Sequence, residues 1–209
     1  VTTIVSPTVT SNSGHFYVVS VARRDEFADV SSITNTLGFT SAALISDTFV
    51  LSAESRVSTY QMVGTPTGNG TITANFSQAA DHCVISVSRF ENVNSASPVT
   101  SSQADGQNNG AVYSGSVSGT ENGMFYLAVG MEQMTHTAAL NPASATERFE
   151  DGSTAGNDQT LAVVTAPITA TGTVAYNGTF SGSADSSWNA IALEPSDASD
   201  PVITISHSE

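Results

Sequence analysis

The residues with a capacity for chemistry are few and scattered. Carboxylates gather in two places. Asp25, Glu26 and Asp29 stand just past an early apolar run, beside Arg23 and Arg24, and Glu147, Glu150 and Asp151 stand in a long polar stretch. Loop carboxylates and backbone carbonyls are the ligands calcium prefers, so these six are the candidate calcium ligands, although no EF-hand spacing accompanies them. Calcium is the only cofactor the sequence suggests. Glycoside hydrolysis needs two carboxylates flanking a cleft, and no apolar run here carries such a pair. A serine nucleophile needs a base and an orienting group around it, and no Gly-x-Ser-x-Gly elbow is present. Cys83 falls inside an alternating apolar segment, which suits a buried thiol. His15, His82, His136 and His207 lack zinc spacing. No catalytic residue is expected. Among the aromatics, Trp188 alternates with Ala190 and Ala192, the pattern of a core ring over small neighbours, while Tyr60, Tyr113 and Tyr176 are the candidates for an exposed platform that stacks sugars. Asn69, Asn75 and Asn177 head Asn-x-Ser/Thr sequons.

Charge narrows the partners. Five arginines, no lysine and nineteen acidic residues give a net charge of −14. A phosphate backbone is held by Lys and Arg, so nucleic acid is not an expected partner. Anionic membrane surfaces are disfavoured for the same reason, and no run of eighteen apolar residues is present to span a bilayer. A single cysteine excludes an intrachain disulfide, so the fold must stand on packing.

Short stretches rich in Val, Ile, Thr, Phe and Tyr recur between Gly, Ser, Asn and Asp clusters, which predicts an all-β chain. Strands are expected over Phe16 to Ala22, Ala42 to Leu51, Arg56 to Val63, Gly70 to Phe76, His82 to Phe90, Ala111 to Ser118, Met124 to Val129, Thr160 to Ala166, Gly172 to Ser181 and Trp188 to Leu193. Phe16-Tyr17-Val18-Val19 and Met124-Phe125-Tyr126-Leu127 are apolar on both sides and predict strands covered twice. Asn92 to Gly110 and Thr135 to Asp158 read as long irregular loops, with a short helix possible near Ser144 to Glu150. Both ends carry isolated strand-like runs, Val1 to Thr10 and, past an Asp200-Pro201 hinge, Val202 to Ser206. A lone strand must find an edge to pair with, so Val202, Ile203 and Ile205 are candidate assembly residues.

The order of segments resembles a family of jelly-roll β-sandwich modules found in phage virion proteins and in secreted or surface proteins of bacteria and archaea. The residues that carry the likeness run from Gly14-His15-Phe16-Tyr17-Val18-Val19 through Gly68-Asn69-Gly70-Thr71 and Val84-Ile85-Ser86-Val87 to Ser187-Trp188-Asn189-Ala190-Ile191-Ala192-Leu193-Glu194-Pro195. The resemblance implies a two-sheet antiparallel jelly roll over residues 1–195, followed by a linker and terminal strand over 196–209. It further implies a non-enzymatic extracellular subunit on a virion or cell surface, with other copies of itself as partners. The alternative is an adhesion module for cell-surface glycans.

Overall fold

The computed structural model describes residues 1–24, 28–49, 55–152, 159–197 and 205–208. Over these the chain is all-β, with antiparallel pairing and no helix. In chain order the strands are β1 (Thr3–Val5), β2 (Phe16–Arg24), β3 (Val30–Asn35), β4 (Ser41–Phe49), β5 (Ser55–Val63), β6 (Ile72–Phe76), β7 (His82–Phe90), β8 (Val99–Gly119), β9 (Met124–Glu132), β10 (His136–Asn141), β11 (Thr146–Gly152), β12 (Gln159–Pro167), β13 (Gly172–Leu193) and β14 (Ile205–Ser208). They form three sheets. One runs β1-β6-β3, one β14-β7-β2-β5-β4, and one β10-β13-β9-β12-β11 with β8 on the other side of β13.

Period-2 alternation along the central strands stacks these sheets in layers. On β2, Tyr17, Val19 and Val21 point one way, into a core shared with Ile72, Ala74 and Phe76 of the three-stranded sheet. Val18 and Ala22 point the other way, against Tyr126, Ala128, Leu161 and Ile191 of the six-stranded sheet. β9 is covered twice in the same manner, because Phe125, Leu127 and Val129 turn into a third core around Trp188. Each large apolar side chain so buried contributes about 1.5–3 kcal/mol. Val18, Ile85, Val87, Leu127, Val163, Ile191 and Trp188 are all buried, and Phe16 is half-buried at the start of β2.

The third core comes from one long ribbon folding over itself. β13 pairs with β8 along both halves, but on its other side it meets β10 first and β9 afterwards. The β8 ladder is interrupted between Thr179 and Ala184, across Ser181-Gly182-Ser183. There the ribbon bends, so that Tyr113, Val117, Tyr176 and Phe180 lie over Phe125, Leu127 and Trp188.

Several sequence expectations change. The supposed loop from Asn92 to Gly110 becomes strand from Val99 onward, and Thr135 to Asp158 contains β10 and β11. No helix forms near Ser144 to Glu150. From Thr146 onward that segment is β11, whose Glu and Arg residues carry little strand propensity and which forms by pairing with β12. Gly172 to Ser181 and Trp188 to Leu193 are parts of a single strand. Both ends pair within the molecule, β1 with β6 and β14 with β7, with Ile205 opposite Phe90. Val202 and Ile203 lie outside the described residues.

Candidate functional site

One concavity is a groove of about 1030 Å³, walled by residues 4–7, 83–85 and 147–152. It opens where an edge of the five-stranded sheet faces an edge of the six-stranded sheet. β7 pairs with β2 along its whole length but with β14 only over Val87 to Phe90. Among the described residues no strand lies beside Cys83, Val84 and Ile85 on their outer side. Facing them is β11, the terminal strand of its sheet, which carries Glu147, Glu150 and Asp151 with Arg148 between them. Arg148 turns its Nε to Thr165 Oγ1 at 2.9 Å. By the register, Glu147 and Glu150 lie on the Val164 and Ala162 face of β11, and Asp151 lies on the Leu161 face.

Behind this wall lies a hydrogen-bonded relay. Tyr113 Oη is 2.6 Å from His136 Nε2, and His136 Nδ1 is 2.5 Å from Glu147 Oε2. The backbone amide of His136 donates to Glu150 Oε1 at 2.6 Å. A neutral imidazole satisfies all of it by donating from Nδ1 to the carboxylate and accepting at Nε2 from the phenol. Burial pushes Glu150 up; the His136 amide opposes that, and the nearby Glu147 charge adds to it. Tyr113 is also pushed well up, by burial first and then by Glu147 and Tyr176. β10 and β11 are the two ends of the strand path, so these bonds draw the curled sheet together through side chains. The order is the reverse of a catalytic triad, because the carboxylate belongs to exposed Glu147 and the hydroxyl is sealed in the core. The arrangement braces β11 against β10.

The other candidates fall elsewhere. Asp29 is paired with Arg56, which also pairs with Asp47. Asp25 and Glu26 lie outside the described residues. No three His, Cys, Asp or Glu among the described residues converge as a metal would require. Tyr113 and Tyr176 are not an exposed platform, since only 2% and 1% of their surfaces reach solvent. The reason is a reciprocal pairing across the bent ribbon, Tyr113 opposite Gly178 and Tyr176 opposite Gly115. A Cβ at Gly178 would lie 2.2 Å from Tyr113 Oη, and one at Gly115 would lie 2.4 Å from Tyr176 Oη. Each ring therefore uses the space a side chain would fill. Tyr60 is half-buried on β5, opposite Leu44 of β4. Cys83 is half-buried on the groove wall; burial raises its thiol, against the lowering charges of the Val1 ammonium and Arg23. The relay escaped sequence reasoning because His136 and Glu147 sit in a stretch that reads as loop.

Comparison of the chain with family models, with curated proteins and with solved structures finds no match.

Proposed function

We propose that this chain is a non-enzymatic exterior structural module, a jelly-roll-like sandwich displayed on a virion, filament or cell surface, which associates with copies of itself through the open edge β4. The observation that carries this reading is a contrast between two edges. On β8, several amides are capped by side chains: Gly106 N donates to Asp105, Asn109 N to Asp185, Ser116 N to Gln103 and Ser118 N to Ser101. Such capping blunts an edge against further pairing. Among the described residues β4 pairs only with β5, and it reads Ala42-Ala43-Leu44-Ile45, with no lysine or proline. No side chain of the described residues caps its amides over Ala42 to Ile45, and Leu44 is 56% exposed next to Tyr60. An apolar uncapped edge is a template for strand pairing. Sedimentation of the parent and of Leu44→Lys tests it. The parent associates with rising concentration, and the variant remains monomeric with an unchanged circular dichroism spectrum. A parent that stays monomeric at every accessible concentration defeats the reading.

A second reading, glycan adhesion, rests on a separate pocket of about 400 Å³ lined by His15, Phe16, Gln61, Thr65, Ser95 and Pro98. A half-buried aromatic ring beside amide, imidazole and hydroxyl groups is the composition that holds a sugar ring. Burial lowers the pKa of His15, and Arg89 adds to this while Glu91 opposes it, so the imidazole is neutral there at neutral pH. A glycan array with Phe16→Ala as control separates this reading from self-association.

A further inference from the structure

Resting on the adhesion reading, we propose that the pocket between the start of β2 and the β7–β8 loop receives the uncharged terminal pyranose of a glycan and rejects acidic and amino sugars. Gln61 is the residue that points to this. It lies opposite Val18 of β2, whose side chain enters the core between the five- and six-stranded sheets, and directly opposed residues share a face. Other polar residues that β5 turns to this side are satisfied, Ser55 by Gln159 and Ser187 and Thr59 by Ser20 and Asn189. The Gln61 amide has no hydrogen-bond partner among the described residues. Neither have the hydroxyls of Thr65 and Ser95, which line the same pocket. A side-chain amide left open in this way can donate to one hydroxyl of a sugar and accept from the next, while half-buried Phe16 supplies aromatic surface for the C–H side of the ring.

Both walls are fixed before a ligand arrives. Asn94 Oδ1 accepts from the amides of Ala96 and Ser97 at 3.0 and 3.3 Å, and the Asn94 amide donates to the Glu194 carbonyl at 2.9 Å. Thr40 donates to the Val63 carbonyl from its amide and from its hydroxyl, each at 3.0 Å. Walls held in this way spare the ordering cost of binding. A volume of about 400 Å³ is at the small end for ligand sites, which suits the tip of a glycan. Charge then sets the class of sugar. No Arg, Asp or Glu of the described residues lines the pocket, and the chain has no Lys. His15 Nε2 stands 3.5 Å from Oε1 of half-exposed Glu91, and Arg89 gives its Nη1 to the Thr10 carbonyl at 2.9 Å. An acidic sugar therefore brings its charge toward Glu91 with no cationic side chain in the pocket to meet it, whereas carboxylate and sulfate recognition ordinarily uses an arginine fork. The ammonium of an amino sugar finds no carboxylate in the lining.

The test uses the full chain and saturation-transfer NMR at neutral pH. The probes are the methyl glycosides of glucose, galactose, mannose and N-acetylglucosamine, with glucuronic acid, sialic acid, sulfated galactose and glucosamine as charged counterparts. At least one neutral glycoside is expected to bind, and every charged sugar to bind roughly tenfold more weakly or worse. Gln61→Ala removes a group that has no partner in the free protein, so it should leave the circular dichroism spectrum unchanged and weaken the neutral sugar roughly tenfold. Ser95→Ala, on the opposite side of the chain's β7–β8 loop from no other contact, should weaken it in the same direction. Charged sugars that bind as tightly as neutral ones overturn the proposal and leave the adhesion reading in place. Neutral binding that Gln61→Ala and Ser95→Ala both leave unchanged also overturns it. If no sugar binds, neutral or charged, the proposal and the adhesion reading fall together.

Discussion

Replacing Asp47 by asparagine tests how the side of β2 that faces the three-stranded sheet tolerates a buried cation. Arg23 lies on β2 with no exposed surface, its Nη1 donating to Ser58 Oγ at 2.8 Å and its Nη2 3.7 Å from Asp47 Oδ1. Its Nε and Nη2 have no hydrogen-bond partner among the described residues. Burial, and then the Arg56 charge, lower its pKa to about 10, which still leaves it charged at neutral pH. Asp47 is thus the carboxylate that accepts from Arg56 and from Ser58 while lying against Arg23. Removing one partner of a buried pair costs about 3–5 kcal/mol, and Asp47 is only partly buried, with Asp29 still on Arg56, so the lower figure of about 3 applies. At roughly 2–4 °C per kcal/mol for a chain of this length, Tm falls by about 6–12 °C. Trp188, the only tryptophan and a core ring, reports unfolding by fluorescence. Arg23→Met combined with Asp47→Asn removes the stranded cation and is expected to return to within about 1 kcal/mol of the parent. The reasoning is refuted if Asp47→Asn costs under about 1 kcal/mol, or if the double variant is no better than the single one.

Four other outcomes follow from the same contacts. Desolvation pushes the Asp47 pKa up, but hydrogen bonds from Arg56 and Ser58 and the charges of Arg56 and Arg23 outweigh it, so the group is held below its usual value. Its stabilising contribution is then present above the unfolded carboxylate range and lost as pH falls through the folded value, and acid titration of Asp47→Asn should lack that loss. Tyr126 and Tyr176 are pushed to about 12, each chiefly by burial, and Tyr113 also upward. Absorbance titration should therefore show tyrosines that ionise only above pH 10, and stability should fall as pH rises past the unfolded tyrosine value near 10. Gly178→Ala drives a methyl into the Tyr113 ring and should cost about 1–3 kcal/mol in urea denaturation, with Tyr113→Ala in the same chain relieving the clash. Asn189→Ala leaves the Ser46 and Val57 carbonyls without their amide donor between the two large sheets and should cost about 3 kcal/mol by the same assay.

What the sequence discloses depends on how each element is held. β2, β7, β9 and β12 are legible because their apolar residues pack on both faces, and packing leaves a compositional mark. β8 from Val99 to Gly110 is not legible: its residues are mainly Ser, Gln, Asn and Gly, exposed or half-buried, and it is a strand because β13 offers it a ladder. β11 hides for a different reason, since Glu147 and Glu150 answer to His136 and not to strand propensity. The tyrosines mislead in an instructive way. Tyr113-Ser114-Gly115 and Tyr176-Asn177-Gly178 share a spacing, ring then glycine two residues on, which is the signature of two strands that cover each other's glycines. Read as a pair, the two motifs imply the register; read singly, each is another aromatic in a polar strand.

The treatment of the edges ties these observations to the way the molecule meets others. An antiparallel sandwich has open edges by construction, and a chain without lysine cannot blunt them with the commonest residue for the purpose. β8 instead spends Asp105, Asp185, Gln103 and Ser101 on its own amides. β1 and β14 close two further edges with the chain's own ends. One stretch is left without such cover among the described residues, Ala42 to Ile45 on β4, where Leu44 is exposed. An edge left open where the others are covered is where association gains backbone hydrogen bonds with the least polar surface to desolvate.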